Sequence, residues 1–561
     1  IRLEGVNLTL EQGADGIPQL HADADVPETH APALPDVARW LFDTGRLDIV
    51  GDQLTLRRRD GVSVPILHPY FQVRDTQYGQ RLRFSAALPP ELGDHVQLTI
   101  ERPRTDPQSW QGTFEFRADH LHLSRWPSLL GWQLPLSAMV ATEQIPRGEI
   151  LAALELRGDW RDWQPTRIEG RLRLSGVAPN PSLPVANPKR VQLSSPASFP
   201  QWKISSEWEL DGQRQETGWQ LQGHARFTDS KDHVVAQSPF TVHQTGELWQ
   251  GHIHDLRAQD LAAWTALWLD NPAQQWLATL NPQGNLPEIA IRIDPATSAY
   301  AATVQIRDVT FQPVQGLPGL SPLTGTLEFT PHQSHITLDS RKVRINTAGL
   351  LRAPITLDTL AGTVNWVPTA DGFRVESAGL ELANADCKAR IEGSATVADT
   401  GPLTLDLHGT LHDVAVGQIP RYLPTLLPSN GLAWLNRALV GGQAAGDWVF
   451  RGALAHFPFD HDQGLFETRL QVENAILDYA PGWPRLEKLQ AIVTFHNRGL
   501  RIETDRGSLL DAGAEHITAW IDDLNHTIVR VQGHIKGPGA TLWQARSEER
   551  RVGKECRLLC R

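Results

Sequence analysis

From Ile1 to about Trp543 the chain keeps one texture: short runs alternating apolar and polar residues, a turn marked by Gly, Pro, Asn or Asp, then another such run. Alternation with a period of two marks a strand with one face withdrawn from water. It shows in Val96-Leu98-Ile100, Phe114-Phe116, Leu154-Leu156, Ile168-Leu172-Leu174, Val304-Ile306, Leu327-Phe329 and Ile336-Leu338. It recurs in Leu403-Leu405-Leu407, Val493-Phe495 and Leu500-Ile502. The residues between are often charged. In the stretch Arg167 to Gly176, Arg167, Glu169, Arg171 and Arg173 fall on one side, and Ile168, Leu172 and Leu174 on the other. A long, repetitive, mostly antiparallel β-protein with one continuous apolar face is expected.

An internal repeat supports this. A shift of 166 positions lays Val304, Ile306 and Asp308 on Leu470, Val472 and Asn474, Gly316 to Leu320 on Gly482 to Leu486, and Leu327 to Phe329 on Val493 to Phe495. Strand, corner and return strand form one unit of a repeat architecture. No Ser-rich, Gly-rich or charge-block linker divides the chain, so residues 1–545 are expected to form one elongated body, with sub-units near 1–132, 133–280, 281–440 and 441–545. Short helices are expected at sheet edges, over Leu34–Thr44 and within His120–Trp132, Leu256–Leu280 and Leu411–Leu439, where they would cover unpaired backbone.

The ends read differently. Ile1 already lies in a strand pattern, so further chain upstream is expected; Arg546–Arg561 is charge-dense, lacks alternation, and is expected to be a non-native, disordered tail. That tail carries six Lys/Arg and three Asp/Glu, so without it the balance moves from 52 against 64 to 46 against 61. Such an acidic chain is not a nucleic-acid binder. No run approaches the roughly 18 apolar residues of a spanning helix. Apart from Cys556 and Cys560 in the tail, Cys387 stands alone and cannot form an internal disulfide.

Catalytic signals are weak. His120/His122 and His252/His254 place imidazoles two residues apart on a strand, a metal-ligand spacing, but without nearby Cys or clustered carboxylates they read as a polar outer face. Asp460-His461-Asp462 reads as a solvated loop rather than a cation site, and the sequons at Asn7 and Asn525 as chance matches. There is no nucleophile elbow, phosphate loop or dinucleotide fingerprint. No enzyme activity, metal or cofactor is expected. Among the 19 tryptophans, Trp126, Trp132, Trp264, Trp268, Trp434 and Trp483 suit either the rim of a groove or the anchoring of helices onto a sheet, with anchoring slightly favoured.

What covers the apolar face stays open on the residues alone. Either a second sheet packs on it, which composition favours, or the sheet curls into a trough and long apolar ligand tails supply the contact.

The ordered run Tyr422-Leu423-Pro424, Trp434-Leu435, Phe450-Arg451-Gly452, Phe457-Pro458-Phe459, Gly464-Leu465-Phe466 and Trp483-Pro484 closely resembles the YhdP family, a branch of the AsmA-like proteins related to TamB. Leu88 to Glu101, Ser109 to Ala118 and Leu357 to Trp366 also resemble it. The resemblance implies an elongated, curled antiparallel sheet with a hydrophobic groove. It also implies an N-terminal inner-membrane anchor outside this stretch, a periplasmic location in Gram-negative bacteria, and bridge-like phospholipid transfer toward the outer membrane and its proteins. On that reading lipid tails become the favoured cover. The groove candidates are Ile168, Leu172, Leu174, Val304, Ile306, Leu327, Phe329, Ile336, Leu338, Leu403, Leu405, Leu407, Leu470, Val472, Val493, Phe495, Leu500 and Ile502. Two other classes compete: an envelope scaffold binding protein strands by β-augmentation, and a polysaccharide-processing enzyme on a β-solenoid.

Overall fold

The computed structural model describes residues 1–12, 18–21, 44–57, 63–104, 110–122, 149–177, 205–229, 231–261, 280–294, 299–313, 318–330, 334–347, 351–369, 372–398, 402–423, 429–457, 463–524 and 528–539, with isolated residues between them. The chain divides into two units, Ile1–Ala278 with Leu286–Ala302, and Thr279–Asn285 with Thr303–Arg561.

The strands of the first unit are β1 (Arg2–Gln12), β2 (Pro18–His21), β3 (Arg46–Arg57), β4 (Ser63–Thr76), β5 (Gly79–Ala87), β6 (His95–Pro103) and β7 (Gln111–His122). They continue as β8 (Glu149–Arg161), β9 (Gln164–Val177), β10 (Ser205–Gln215), β11 (Gly218–Thr228), β12 (Val234–Thr245), β13 (Leu248–Arg257) and β14 (Gln283–Asp294). From β3 to β13 each strand pairs antiparallel with the next. β1 differs: it runs parallel to β3 and antiparallel to β2.

The second unit holds β15 (Ala299–Phe311), β16 (Gly319–Phe329), β17 (Ser334–Asn346), β18 (Ile355–Thr369), β19 (Gly372–Ala383), β20 (Lys388–Ala398) and β21 (Thr404–Ala415). A 3₁₀ turn (Val416–Tyr422) and helix α1 (Ser429–Ala438) lead into β22 (Leu439–Ala453), β23 (Gly464–Leu477), β24 (Leu486–His496), β25 (Gly499–Leu509), β26 (Ala512–Ile521) and β27 (Arg530–Lys536). From β16 onward the pairing is again strictly between chain neighbours and antiparallel. The fold is mainly β, an open curled sheet with few and short helices, as the alternation predicts.

The curl has a local cause. His68, His120, Asp255, Asp308, Lys342, Asp413, Asn474, Lys488 and His516 have φ between 50° and 56°, and all are exposed. The ladder shifts register at or beside His68, His120, Asp413, Asn474, Lys488 and His516. A bulge bends its strand and steps the inside-outside alternation by one. Within each unit these residues sit a few positions from the same margin of the sheet, the one opposite the tight hairpins such as Thr76–Gly79 and Gln215–Gly218. Asp308 and Asn474, which the 166-residue shift superposes, have φ of 55° and 52°. Asn, Asp and His tolerate this conformation better than most residues. Across from Asn474, Gly442 has φ of 121°, and a Cβ there would lie 2.7 Å from the Cα of Ala475.

Within Leu411–Leu439 the end of β21 feeds the 3₁₀ turn, which contains Pro420, and then helix α1, the strand-to-helix unit expected there. Most of the expected helices over Leu34–Thr44, His120–Trp132 and Leu256–Leu280 lies outside the described residues, as do Asp460-His461-Asp462 and the tail from Arg546. No described helix is long and apolar enough to cross a membrane.

Candidate functional site: an apolar trough

Register turns the local alternation into a surface. In the first unit Leu3 stands opposite Ile49, Ile49 opposite Phe71, Phe71 opposite Phe84, Phe84 opposite Leu98, and Leu98 opposite Phe116. The same row continues through Leu156, Gly170, Leu210, Gly223 and Phe240 to Ile253. Every strand from β3 to β13 contributes an apolar residue or glycine. Facing residues of an antiparallel pair share a face, so this is one uninterrupted apolar line.

The line is a floor rather than a core. Ile49, Phe71, Phe84, Leu98, Phe116, Leu156 and Leu210 are only half-buried, whereas a second sheet packed about 10 Å away would bury them. Among the described residues no second sheet covers these strands, so the sandwich expected from composition alone is not formed there and the floor lies open. The flanks are packed. On the hairpin margin Phe42, Leu47, Val73 and Leu82 are buried, and the half-buried Trp110 and Trp163 pack against them. On the opposite margin Leu54, Val64, Ile66, Ala86, Leu88 and Leu92 form a second buried cluster.

The second unit repeats the plan. Leu338, Gly362, Leu380, Ile391 and Gly409 stand in one row. Trp448, Thr468, Phe495, Leu500 and Ile521 extend it. Phe450, Phe457, Phe459, Phe466 and Phe495 close the hairpin margin with ring centroids 5.2 to 6.4 Å apart. Val416, Ala444, Val472, Ala475 and Leu489 close the other. The 3₁₀ turn is fixed there by the Asp386 carboxylate, which accepts hydrogen bonds from Tyr422 Oη at 2.8 Å and Arg421 Nη1 at 2.7 Å. Burial and the neighbouring Asp386 charge push the Tyr422 phenol up to about 12, so it stays a donor at neutral pH.

The outer face is charged and self-neutralising. Arg117, Glu155, Arg171 and Glu209 alternate in sign across four strands, with Arg117–Glu155 at 3.5 Å and Arg171–Glu209 at 3.3 Å. Arg157–Glu169 at 3.0 Å belongs to the next row.

The sequence-derived candidates fall as follows. Leu174, Ile306, Leu338 and Val472 are buried. Ile168, Leu172, Val304, Leu327, Phe329, Ile336, Leu403, Leu405, Leu407, Leu470, Val493, Phe495, Leu500 and Ile502 are half-buried. Leu327 faces Ile336, Leu470 faces Val493, Val493 faces Ile502, Phe495 faces Leu500, and Leu407 faces Phe450. The two histidine pairs each meet a carboxylate. His120 Nδ1 lies 2.8 Å from Asp94, His252 Nδ1 lies 2.9 Å from Glu288, and no cluster of three potential ligands occurs among the described residues.

Of the singled-out tryptophans, Trp264 is 6% exposed and packs on Phe227 and Trp208. Trp434 donates from Nε1 to the Tyr479 carbonyl at 2.9 Å, and Trp483 stacks edge-on against the Tyr479 ring. All three anchor connecting segments. Trp126, Trp132 and Trp268 lie outside the described residues. Sequence reasoning missed the tryptophans at strand ends on the hairpin margin, Trp219 and Trp249, whose signal is their even spacing from Leu221 and Gly251 on the apolar side.

Comparison with known proteins adds the family. The model of the family described as YhdP protein matches residues 1–546. The chain belongs to the YhdP family. A relative, the Escherichia coli (strain K12) protein named intermembrane phospholipid transporter YhdP, is 28% identical over 270 residues, covering 47% of this chain. The match spans 21% of that YhdP protein's length. No solved structure gives a significant match.

Proposed function

We propose that this YhdP-family chain is a stretch of a bridge that carries phospholipid through the periplasm between the inner and outer membranes, the acyl chains lying in the apolar trough. The observation that carries the reading is the row of apolar residues and glycines, half-buried over most of its length, which passes from strand to strand within each unit without a charged residue and with Thr468 as a polar member. Leaving water stabilises an acyl chain by roughly 0.8 kcal/mol per CH₂, so a lipid crossing an aqueous gap needs an unbroken apolar path more than one deep pocket. The name of the E. coli relative supports phospholipid as cargo. Inner-membrane attachment and delivery to the outer membrane or its proteins belong to the same proposal.

The test is native mass spectrometry of the purified chain, with and without a charge on the floor. Leu327→Asp and Leu405→Asp place a carboxylate at half-buried positions, so the sheet should stay folded while co-purifying phospholipid is lost. Retention of lipid by both variants, or its absence from the unmodified chain, overturns the proposal. Ile306 is less suitable, because at 5% exposure an Asp there would unfold its surroundings.

A further inference from the structure

We propose that the hairpin margin of the first unit, at Arg214, Trp219, Gln244 and Trp249, is a subsite for the phosphate and ester groups of a glycerophospholipid; this rests on the lipid-carrier reading above.

The four residues share the trough side. Arg214 is in phase with Leu210 and Gly212 on β10 and stands directly opposite Trp219. Trp219 is two residues from Leu221, and Gln244 pairs with Trp249 across the β12–β13 hairpin. Cation, indole, amide and indole thus line consecutive strand ends where the apolar floor meets solvent.

Gln244 Nε2 donates to the Gly246 carbonyl at 3.1 Å, whereas the other three keep their donors free of the described residues. On the outer face three arginines of the neighbouring strands are paired: Arg157 to Glu169 at 3.0 Å, Arg171 to Glu209 at 3.3 Å and Arg173 to Glu207 at 3.2 Å. Among the described residues Arg214 has no ion pair or hydrogen bond, and neither indole nitrogen of Trp219 and Trp249 has an acceptor. Trp160, at the same margin, does have one: its Nε1 donates to the Thr113 carbonyl at 3.2 Å.

In an empty trough water satisfies these donors. A lipid lying on the floor displaces that water, and a buried donor left unpaired is costly. Methylene groups accept nothing, whereas a phosphodiester and two ester carbonyls accept. Adjacent strands stand about 4.8 Å apart, so Arg214, Trp219 and Trp249 span roughly 15 Å at most, within reach of one glycerol backbone with its phosphate and esters. The guanidinium takes the phosphate, the indoles take the carbonyls, and the chains run inward over Leu221 and Val242. The lipid is thereby oriented, with headgroup at the hairpin margin and tails toward the opposite flank.

The experiment loads the full chain from mixed detergent micelles with dioleoyl phosphatidylglycerol, dioleoylglycerol, or the dialkyl ether form of the same phospholipid, and quantifies bound lipid by mass spectrometry after gel filtration. The unmodified chain should prefer phospholipid to dioleoylglycerol and ester to ether. Arg214→Gln should lower the first preference about five-fold, and Trp219→Phe with Trp249→Phe the second by about as much, the scale of one hydrogen bond; circular dichroism should be unchanged. Leu221→Asp on the floor should reduce all three lipids together. If the unmodified chain loads phospholipid and neither preference moves in the variants, the subsite is wrong while the carrier reading stands. If it loads none of the three, the carrier reading fails and takes the subsite with it.

Discussion

Gly409 stands directly opposite Trp448 on neighbouring strands, and a Cβ on Gly409 would lie 2.8 Å from the indole nitrogen and 2.3 Å from the Arg390 carbonyl oxygen. The indole therefore packs directly against the glycine and continues the floor. Glycine here supplies space. Gly409→Ala should force the ring and the Arg390 backbone apart, costing about 1 to 3 kcal/mol by overpacking. A fall in the urea midpoint at unchanged slope would show it, and an unchanged midpoint would mean that the ring moves freely.

Both carboxylate oxygens of Asp48 accept from Arg74 Nη2, at 2.7 and 2.6 Å, and Oδ1 takes further bonds from Gln72 and Tyr70. Arg74 chiefly, with Gln72 and Tyr70, holds its carboxyl down at about 2, from 3.8. A folded-state value below the unfolded one stabilises the fold above roughly pH 4, and that contribution disappears as pH falls toward 2. Thermal melts between pH 5 and 2 should show a smaller acid-induced drop in Asp48→Asn than in the unmodified chain. Equal drops would place the acid sensitivity elsewhere.

Arg171 reaches Glu207 at 3.1 Å and Glu209 at 3.3 Å on the outer face, where its side chain is 43% exposed. Solvent screens such pairs, so Arg171→Ala should cost less than about 1 kcal/mol, and 1 M salt should erase most of the difference. Arg171→Glu sets like charges across the ladder and should cost more at low salt. A salt-independent loss would point to packing of the side-chain stem instead.

Leu470, Val493 and Ile502 stand in one row on three strands. Val493→Asp should abolish loading of a fluorescent phospholipid while changing stability by less than a buried substitution such as Val343→Asp, because Val343 is 0% exposed. Equal destabilisation by the two would mean that the floor is part of a closed core.

The two marginal features differ in how far they can be read in advance. Ile168, Leu172 and Leu174 lie opposite Arg167, Glu169, Arg171 and Arg173 in the folded strand as in the bare alternation, since the pleat alone sends successive side chains to opposite faces. Asp308 and Asn474 are legible as a repeat, yet their left-handed backbone is not, because Asp and Asn occupy ordinary strand positions as well. Arg214, Trp219 and Trp249 stand next to turns, and nothing in a linear reading distinguishes a rim residue from any other strand end.

By itself the sequence determined the fold class, the two-sided strands and the family, since these follow from contacts and patterns only a few residues apart. The tertiary structure decided that the apolar face is open among the described residues, that its flanks are packed by Phe42, Trp110 and Leu92 on either side, and that a cation and two indoles without a partner among the described residues share the hairpin margin. Those depend on register. A shift of one residue between neighbouring strands would preserve every strand and send each apolar row to the solvent side.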